Sequence, residues 1–254
     1  MPQKKSRASH GGRVILVGAG PGDPELITVK GLKALKEADV VVYDRLVSRE
    51  LLEHVKDGAE LVYAGKEPGK HTLTQEEINQ ILVDKAMQGL TVVRLKGGDP
   101  LVYGRGEEEC LYVRSFDIPC EIIPGIPSFV GGSAEYLVPL GSRGYSRVFS
   151  VVTGTTMGDK PVDHEKMKKL LEASDTVVIL MGARWLRDIL SIAAEVRGRD
   201  EAVVLIRNAT HPDSHIIAGS IGDLIDRGVQ QEPPLLIYIG GGARWLIEKV
   251  GVQR

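Results

Sequence analysis

Three glycine-bearing loops hold the residues best suited to chemistry. The first, Gly18 to Thr28 (GAGPGDPELIT), has the outline of a dinucleotide-binding turn but departs from it in detail. The fingerprint G-x-G-x-x-G ends here on Asp23, whose carboxylate would repel a pyrophosphate, and Pro21 lacks the N–H that a phosphate cradle uses. A turn that closely approaches an uncharged or cationic ligand fits better; the plain alternative is a tight strand-to-helix turn that binds nothing. The second, Gly65 to Thr72 (GKEPGKHT), is one residue short of a P-loop. His71 stands where the magnesium-binding hydroxyl belongs, which argues against a kinase or ATPase. In the third, Gly97 and Gly98 let a ligand come close to the backbone, and Asp99 can accept hydrogen bonds from a polar group. His211 and His215 have the i,i+4 spacing of some zinc sites. Pro212 lies between them and no motif adds a third ligand, so no metal is expected.

Strands and helices must alternate to position such loops, and the sequence reads that way. Arg13–Val17, Val40–Tyr43, Leu61–Ala64, Thr91–Leu95 and Glu121–Ile123 are β-branched or apolar runs, continuous enough for strands covered on both faces. A helix opens at Thr74 with Glu77 completing a capping box, buries Ile78, Ile81 and Leu82, and stops at Gly89. A second series follows with strands at Val148–Val152, Thr176–Leu180, Ala202–Ile206, His215–Ala218 and Leu235–Ile239. Helices near Asp163–Ala173, Trp185–Val196 and Ile221–Arg227 separate them. The architecture expected is α/β, with two α/β domains at 13–140 and 141–254 behind a solvated tail at 1–12. The linker is expected within Val138–Arg147 (VPLGSRGYSR). In open parallel sheets, ligands sit outside the carboxyl ends of the strands, so the loops at Gly18–Asp23, Asp44, Gly65–Lys66, Gly97–Pro100 and Pro124–Ser128 should share one edge.

Composition excludes several classes. The chain has 254 residues, 43% hydrophobic and 26% charged, as a soluble globular protein should. A formal net charge of -2 argues against a broad nucleic-acid surface, although a few local arginines could still hold an anionic small molecule. No apolar run approaches the roughly 18 residues needed to cross a bilayer, and no secretory signal is visible at the start. Cys110 and Cys120 are too few for a disulfide framework, so a reducing cytoplasm is the expected location.

Taken together, VGAGPGD (Val17–Asp23), VYDRLVS (Val42–Ser48), AGK (Ala64–Lys66), His71 with QEEIN (Gln75–Asn79), VRLKGGDP (Val93–Pro100), YGRG (Tyr103–Gly106) and PGI (Pro124–Ile126) resemble the uroporphyrinogen-III C-methyltransferase family, within the tetrapyrrole methylases. The likeness spans about Arg13 to Gly241. GPGD alone is shared with relatives such as diphthine synthase, whereas VYDRLVS with VRLKGGDP and GRG-x-EE is far more specific. The resemblance implies two α/β domains with a cofactor cleft between them, in a homodimer. It implies transfer of two methyl groups from S-adenosylmethionine to uroporphyrinogen III, giving precorrin-2 for sirohaem or cobalamin synthesis and S-adenosylhomocysteine as by-product. No dinucleotide-binding domain of the fused sirohaem synthases is present in this sequence, so oxidation and metal insertion are not expected of it.

Residue by residue, the same resemblance puts Pro21, Gly97, Gly98, Asp99 and Val102 on one side of the cofactor, with Pro127 and Ser128 where the family has a Thr and a small residue. It puts Met181, Ala209, Thr210 and Gly240 over the adenine, Ala209 replacing a usual glycine. Arg105 and Arg143 align with arginines near the tetrapyrrole, whose eight carboxylates need charge-assisted donors, and Glu108 with a nearby acidic residue. Asp44 is implied as proton acceptor and Lys66 as donor; an ion pair that merely organises the loop edge is the competing view. For Met181 the competing view is a core residue, and for each arginine a surface ion pair. The rival functions are methylation of another precorrin, diphthine synthesis, a non-catalytic tetrapyrrole sensor, and a nicotinamide dehydrogenase that Pro21 and Asp23 disfavour.

Overall fold

The five apolar runs of the first half become five parallel strands, the central ones covered from both sides and the edge strand Glu60–Tyr63 left partly exposed. They are β1 (Arg13–Gly18), β2 (Val40–Tyr43), β3 (Glu60–Tyr63), β4 (Thr91–Lys96) and β5 (Cys120–Ile123), ordered β3-β2-β4-β1-β5. The helices between them are α1 (Val29–Glu37), α2 (Gln75–Met87) and α3 (Gly106–Arg114). Val14, Leu16, Val42 and Val92 pack on α2 and α3, while Ile15, Val17, Val41 and Val93 pack on the α1 face with Leu35 and Leu51. Leu16, Leu35 and Leu82 have no exposed surface to speak of, and each such side chain contributes ~1.5–3 kcal/mol by leaving water. Thr74 caps α2 with the reciprocal capping box, its hydroxyl accepting from Glu77 N–H at 3.2 Å while Glu77 accepts from Thr74 N–H at 2.6 Å.

This computed structural model describes residues 11–65, 73–156, 160–161 and 163–251, and the chain divides into two compact units between Pro127 and Ser128. The second contains α4 (Ser128–Glu135), β6 (Phe149–Thr153), the short pair β7 (Thr155–Thr156) and β8 (Lys160–Pro161), α5 (His164–Ala173), β9 (Thr176–Leu180), α6 (Leu186–Arg197), β10 (Ala202–Arg207), β11 (His215–Ser220), α7 (Ile221–Asp226), β12 (Leu235–Gly240) and α8 (Gly241–Lys249). Its main sheet runs β11-β10-β12-β9-β6 and is mixed: β12 lies antiparallel to both β9 and β10, and β6 parallel to β9. Met167, Leu171, Leu186, Ile189 and Leu190 cover one face, and α4 packs against Leu236 and Tyr238 on the other.

The division lies ahead of the stretch Val138–Arg147 expected as linker. That stretch closes the second unit. Ser146 Oγ donates to Leu140 O at 2.7 Å and accepts from the buried Thr176 Oγ1 at 2.9 Å, and Tyr238 Oη ties β12 to Phe129 O at 2.7 Å. Turn-rich composition there serves a packed loop. The two cysteines, too few for a framework, nevertheless pair: Cys110 on α3 and Cys120 on β5 form a disulfide, Cα atoms 5.7 Å apart.

Candidate active site

At the carboxyl edge of the first sheet three loops meet through bare backbone. Gly98 N–H donates to Gly20 O at 2.7 Å, and Ala19 N–H to Lys96 O at 2.7 Å, joining the turns after β1 and β4. A Cβ on Gly18 would lie 2.6 Å from Gly125 Cα and 2.7 Å from Gly98 O, so the loop after β5 closes the same junction and only glycine fits. Asp99 fastens it: one carboxylate oxygen accepts from Gly125 N–H at 3.0 Å, the other from Leu101 N–H at 2.8 Å. Pro21 follows Gly20 directly, and Asp23 caps the 3-10 turn Pro24–Leu26 by accepting from Glu25 N–H at 2.9 Å. Gly97, Gly98, Asp99 and Val102 are all half-buried here, and Pro127 ends the loop after β5 as Ser128 opens α4. A surface of peptide groups flanked by the carboxylates of Asp23, Asp44 and Asp99 suits a cationic, hydrogen-bonding ligand such as a sulfonium nucleoside better than a pyrophosphate.

Asp44 follows β2, its side chain 30% exposed, and Arg94 Nη2 donates to its Oδ1 at 2.7 Å. Lys66, the other residue implied in proton transfer, lies outside the described residues. Behind Asp44 is a buried group that sequence reasoning missed. Glu109, with no exposed surface, accepts from Lys96 Nζ at 2.8 Å and Gln75 Nε2 at 3.0 Å and faces Arg94 Nε at 3.5 Å. Burial, and then the neighbouring Arg94, push the Lys96 ammonium below its ordinary pKa, with Glu109 opposing. A signal existed: Val92, Arg94 and Lys96 alternate on one strand face, and Gly106, Glu109, Cys110 and Val113 share one helix stripe.

Arg105 opens α3 with φ 59°, between Gly104 and Gly106, whose added Cβ atoms would press on Pro100 O at 2.6 and 2.7 Å. Its guanidinium meets Glu108 at 2.6 Å (Nη2) and 3.1 Å (Nε); this hydrogen bond raises the Arg105 pKa and lowers that of Glu108. Both side chains are about half exposed, so the surface pairing anticipated as the competing view is present.

In the second unit Met181 (φ 54°), Asn208 (φ 49°) and Thr210 (φ 65°) follow β9 and β10 at one sheet edge, all in the left-handed region that non-glycine residues seldom occupy. Thr210 N–H donates to Glu135 at 2.7 Å, and Ala209 is buried, 3.1 Å from where a Cβ on Gly132 would sit. Met181 is half exposed, against the core role that was its competing reading. The structure does not bring Gly240 to this edge. Gly240 pairs with Thr176 and Leu236 with Leu180, so β12 carries Gly240 to the opposite end, where Gly241 N–H meets Asp175 O at 2.8 Å. Arg143 stands in the loop tied to Thr176 through Ser146, also at that far end.

Residues 13–225 match the family model of the Tetrapyrrole (Corrin/Porphyrin) Methylases. The chain belongs to that family. As a tetrapyrrole methylase it is 48% identical over 233 residues to a uroporphyrinogen-III C-methyltransferase of Methanocaldococcus jannaschii, covering 90% of this chain and 96% of the relative. It is 44% identical to the one of Priestia megaterium, with 90% and 97% covered. Among solved structures, a uroporphyrin-III C-methyl transferase of Thermus thermophilus complexed with S-adenyl homocysteine matches with TM-score 0.79 and 36% identity, over 92% of this chain and 99% of that one. A cobalt precorrin-4 methyltransferase matches at 30% identity with TM-score 0.79. Among the described residues no helix is long and apolar enough to cross a membrane.

Proposed function

We propose that this tetrapyrrole methylase transfers two methyl groups in succession from S-adenosylmethionine to uroporphyrinogen III, giving precorrin-2. The observation that carries the reading is the side-chain-free junction of Gly18, Gly98 and Gly125, fastened by Asp99, with the partly exposed carboxylate of Asp44 on the same sheet edge. Bound S-adenosylmethionine supplies an electrophilic methyl group on a sulfonium centre. Gly97, Gly98, Asp99, Val102 and Pro21 position its polar parts against main chain, with Pro127, Ser128, Met181, Ala209 and Thr210 as the further contacts. Gly240 is left out of this set on the strand register given above.

Alignment for in-line displacement supplies much of the acceleration, so the base that removes the ring proton need not be strong. Asp44 takes that proton, held in place by Arg94, and Lys66 is the donor. Arg105, with Glu108 beside it, exchanges its surface partner for a substrate carboxylate, and Arg143 takes another carboxylate of the tetrapyrrole without touching the cofactor. The reading includes a homodimer in the cytoplasm, testable by sedimentation and cell fractionation. Its central test is incubation of the full chain with anaerobic uroporphyrinogen III and labelled S-adenosylmethionine. A mass gain of two methyl groups is expected; no gain on this substrate, with transfer to another precorrin, would overturn it.

A further inference from the structure

We infer that Glu109 is a positioning residue for methyl transfer: one buried carboxylate that holds the Asp44 loop, the Gly97–Asp99 loop and the start of α2 in a common register. Four segments converge on it. Lys96, bonded at 2.8 Å, is the residue before Gly97. Arg94, whose Nε faces Glu109 at 3.5 Å, reaches past it to Asp44 at 2.7 Å. Gln75, bonded at 3.0 Å, opens α2. Glu109 itself sits four residues into the helix that Arg105 begins. Asp44 is reached from Glu109 through Arg94.

The cluster is a poor device for stability. Taking charges out of water costs more than an apolar filling of the same space, and this one is imperfectly satisfied. Glu109 Oε2 and Arg94 Nε are buried without a hydrogen-bond partner. The network borders apolar packing, with Val113 and the Cys110–Cys120 bond on the same helix stripe. Two cations, Arg94 and Lys96, stand against two carboxylates, Asp44 and Glu109, so the four formal charges cancel. A directional, charge-balanced network fixes where four backbones lie, which packing by apolar groups does only loosely. Placement is therefore the function left to it.

This inference rests on the proposed methyl transfer, and its test separates the two. Glu109→Gln, in the full chain, leaves one buried cation uncompensated; Glu109→Gln with Lys96→Met restores charge balance without restoring the tie. Each is measured for melting temperature, S-adenosylhomocysteine affinity by calorimetry, and kcat and KM on uroporphyrinogen III. The single variant is expected to melt lower, to bind S-adenosylhomocysteine roughly tenfold more weakly and to lose roughly a hundredfold in kcat with KM little changed, the scale of a small misplacement of reacting groups. The double variant should regain the melting temperature and recover neither kcat nor affinity. Recovery of kcat together with melting temperature would make Glu109 merely structural and overturn the inference, as would wild-type affinity and kcat in the single variant. Failure of the double variant to fold would overturn it too, by making Glu109 a folding residue. If the wild-type chain does not methylate uroporphyrinogen III, the substrate assignment falls, while the affinity series still decides the role of Glu109.

Discussion

Arg105 folds back on Glu108, Nη2 to Oε2 at 2.6 Å, from a backbone held at φ 59°. The left-handed conformation costs a side-chain-bearing residue roughly 1–2 kcal/mol, while a solvent-screened surface pair contributes little. Glycine would thus be the better residue for the fold. Arg105→Gly is expected to leave stability unchanged or raise it by about 1 kcal/mol, and to abolish turnover while cofactor affinity stays near normal. Denaturant melts beside single-turnover methylation decide this. Arg105→Lys tests the fork geometry: it should lose roughly a hundredfold in turnover, and wild-type turnover would leave Arg105 a surface pair only.

Asp99 ties the loops proposed to hold the cofactor. Asp99→Ala frees Gly125 N–H and Leu101 N–H together, and S-adenosylhomocysteine affinity should fall by about 1–3 kcal/mol. Asp99→Asn, with one oxygen left to accept, should fall between. Calorimetry showing unchanged affinity in the alanine variant would put the cofactor elsewhere.

The bond between Cys110 and Cys120 closes a loop of sequence separation 10. Loop-closure entropy for so short a loop gives about 2–3 kcal/mol of stability, lost on reduction. Urea midpoints with and without a reductant measure it. Alkylation that found two free thiols in the purified protein would remove the bond from the account.

Acid should unfold the second unit partly through Asp175. Its carboxylate accepts from Val148 N–H at 2.9 Å and Arg147 N–H at 2.7 Å, and these bonds hold its pKa below the usual carboxylate value. The unfolded chain binds that proton more readily. The contribution is therefore whole above the unfolded value of about 3.9 and is lost as pH falls through the lower folded one. Urea midpoints between about pH 5 and 3 should drop less steeply in Asp175→Asn than in the parent.

Much of the architecture was legible because local signals agreed with one another. Val40–Tyr43 and Thr176–Leu180 are strands with the bounds their β-branched runs suggest, and the Thr74 capping box starts α2. The edge shared by the loops after β1, β4 and β5 followed from reading the strands as one parallel sheet. What escaped depends on long-range pairing. Nothing local says that Leu235–Gly240 runs antiparallel to Thr176–Leu180, yet that direction is what takes Gly240 away from Met181. Arg94, Lys96 and Glu109 become one network only when β4 and α3 are laid face to face. The Pro- and Gly-rich stretch at 138–147 has linker composition, and long-range contacts such as the bonds from Thr176 to Ser146 and from Tyr145 to Glu248 are what pack it.

The glycine junction of Gly18, Gly98 and Gly125 has a consequence for how this protein can change. A recognition surface written in peptide groups offers the same donors and acceptors under any sequence that fits, so substitution can break it but cannot retune it. On the proposed reading, preference for one methyl acceptor over another then resides in neighbouring side chains such as the half-exposed Leu101, Tyr103 and Arg105. In that case the part proposed to hold the donor and the part proposed to choose the acceptor are separately mutable, within a segment of a few residues.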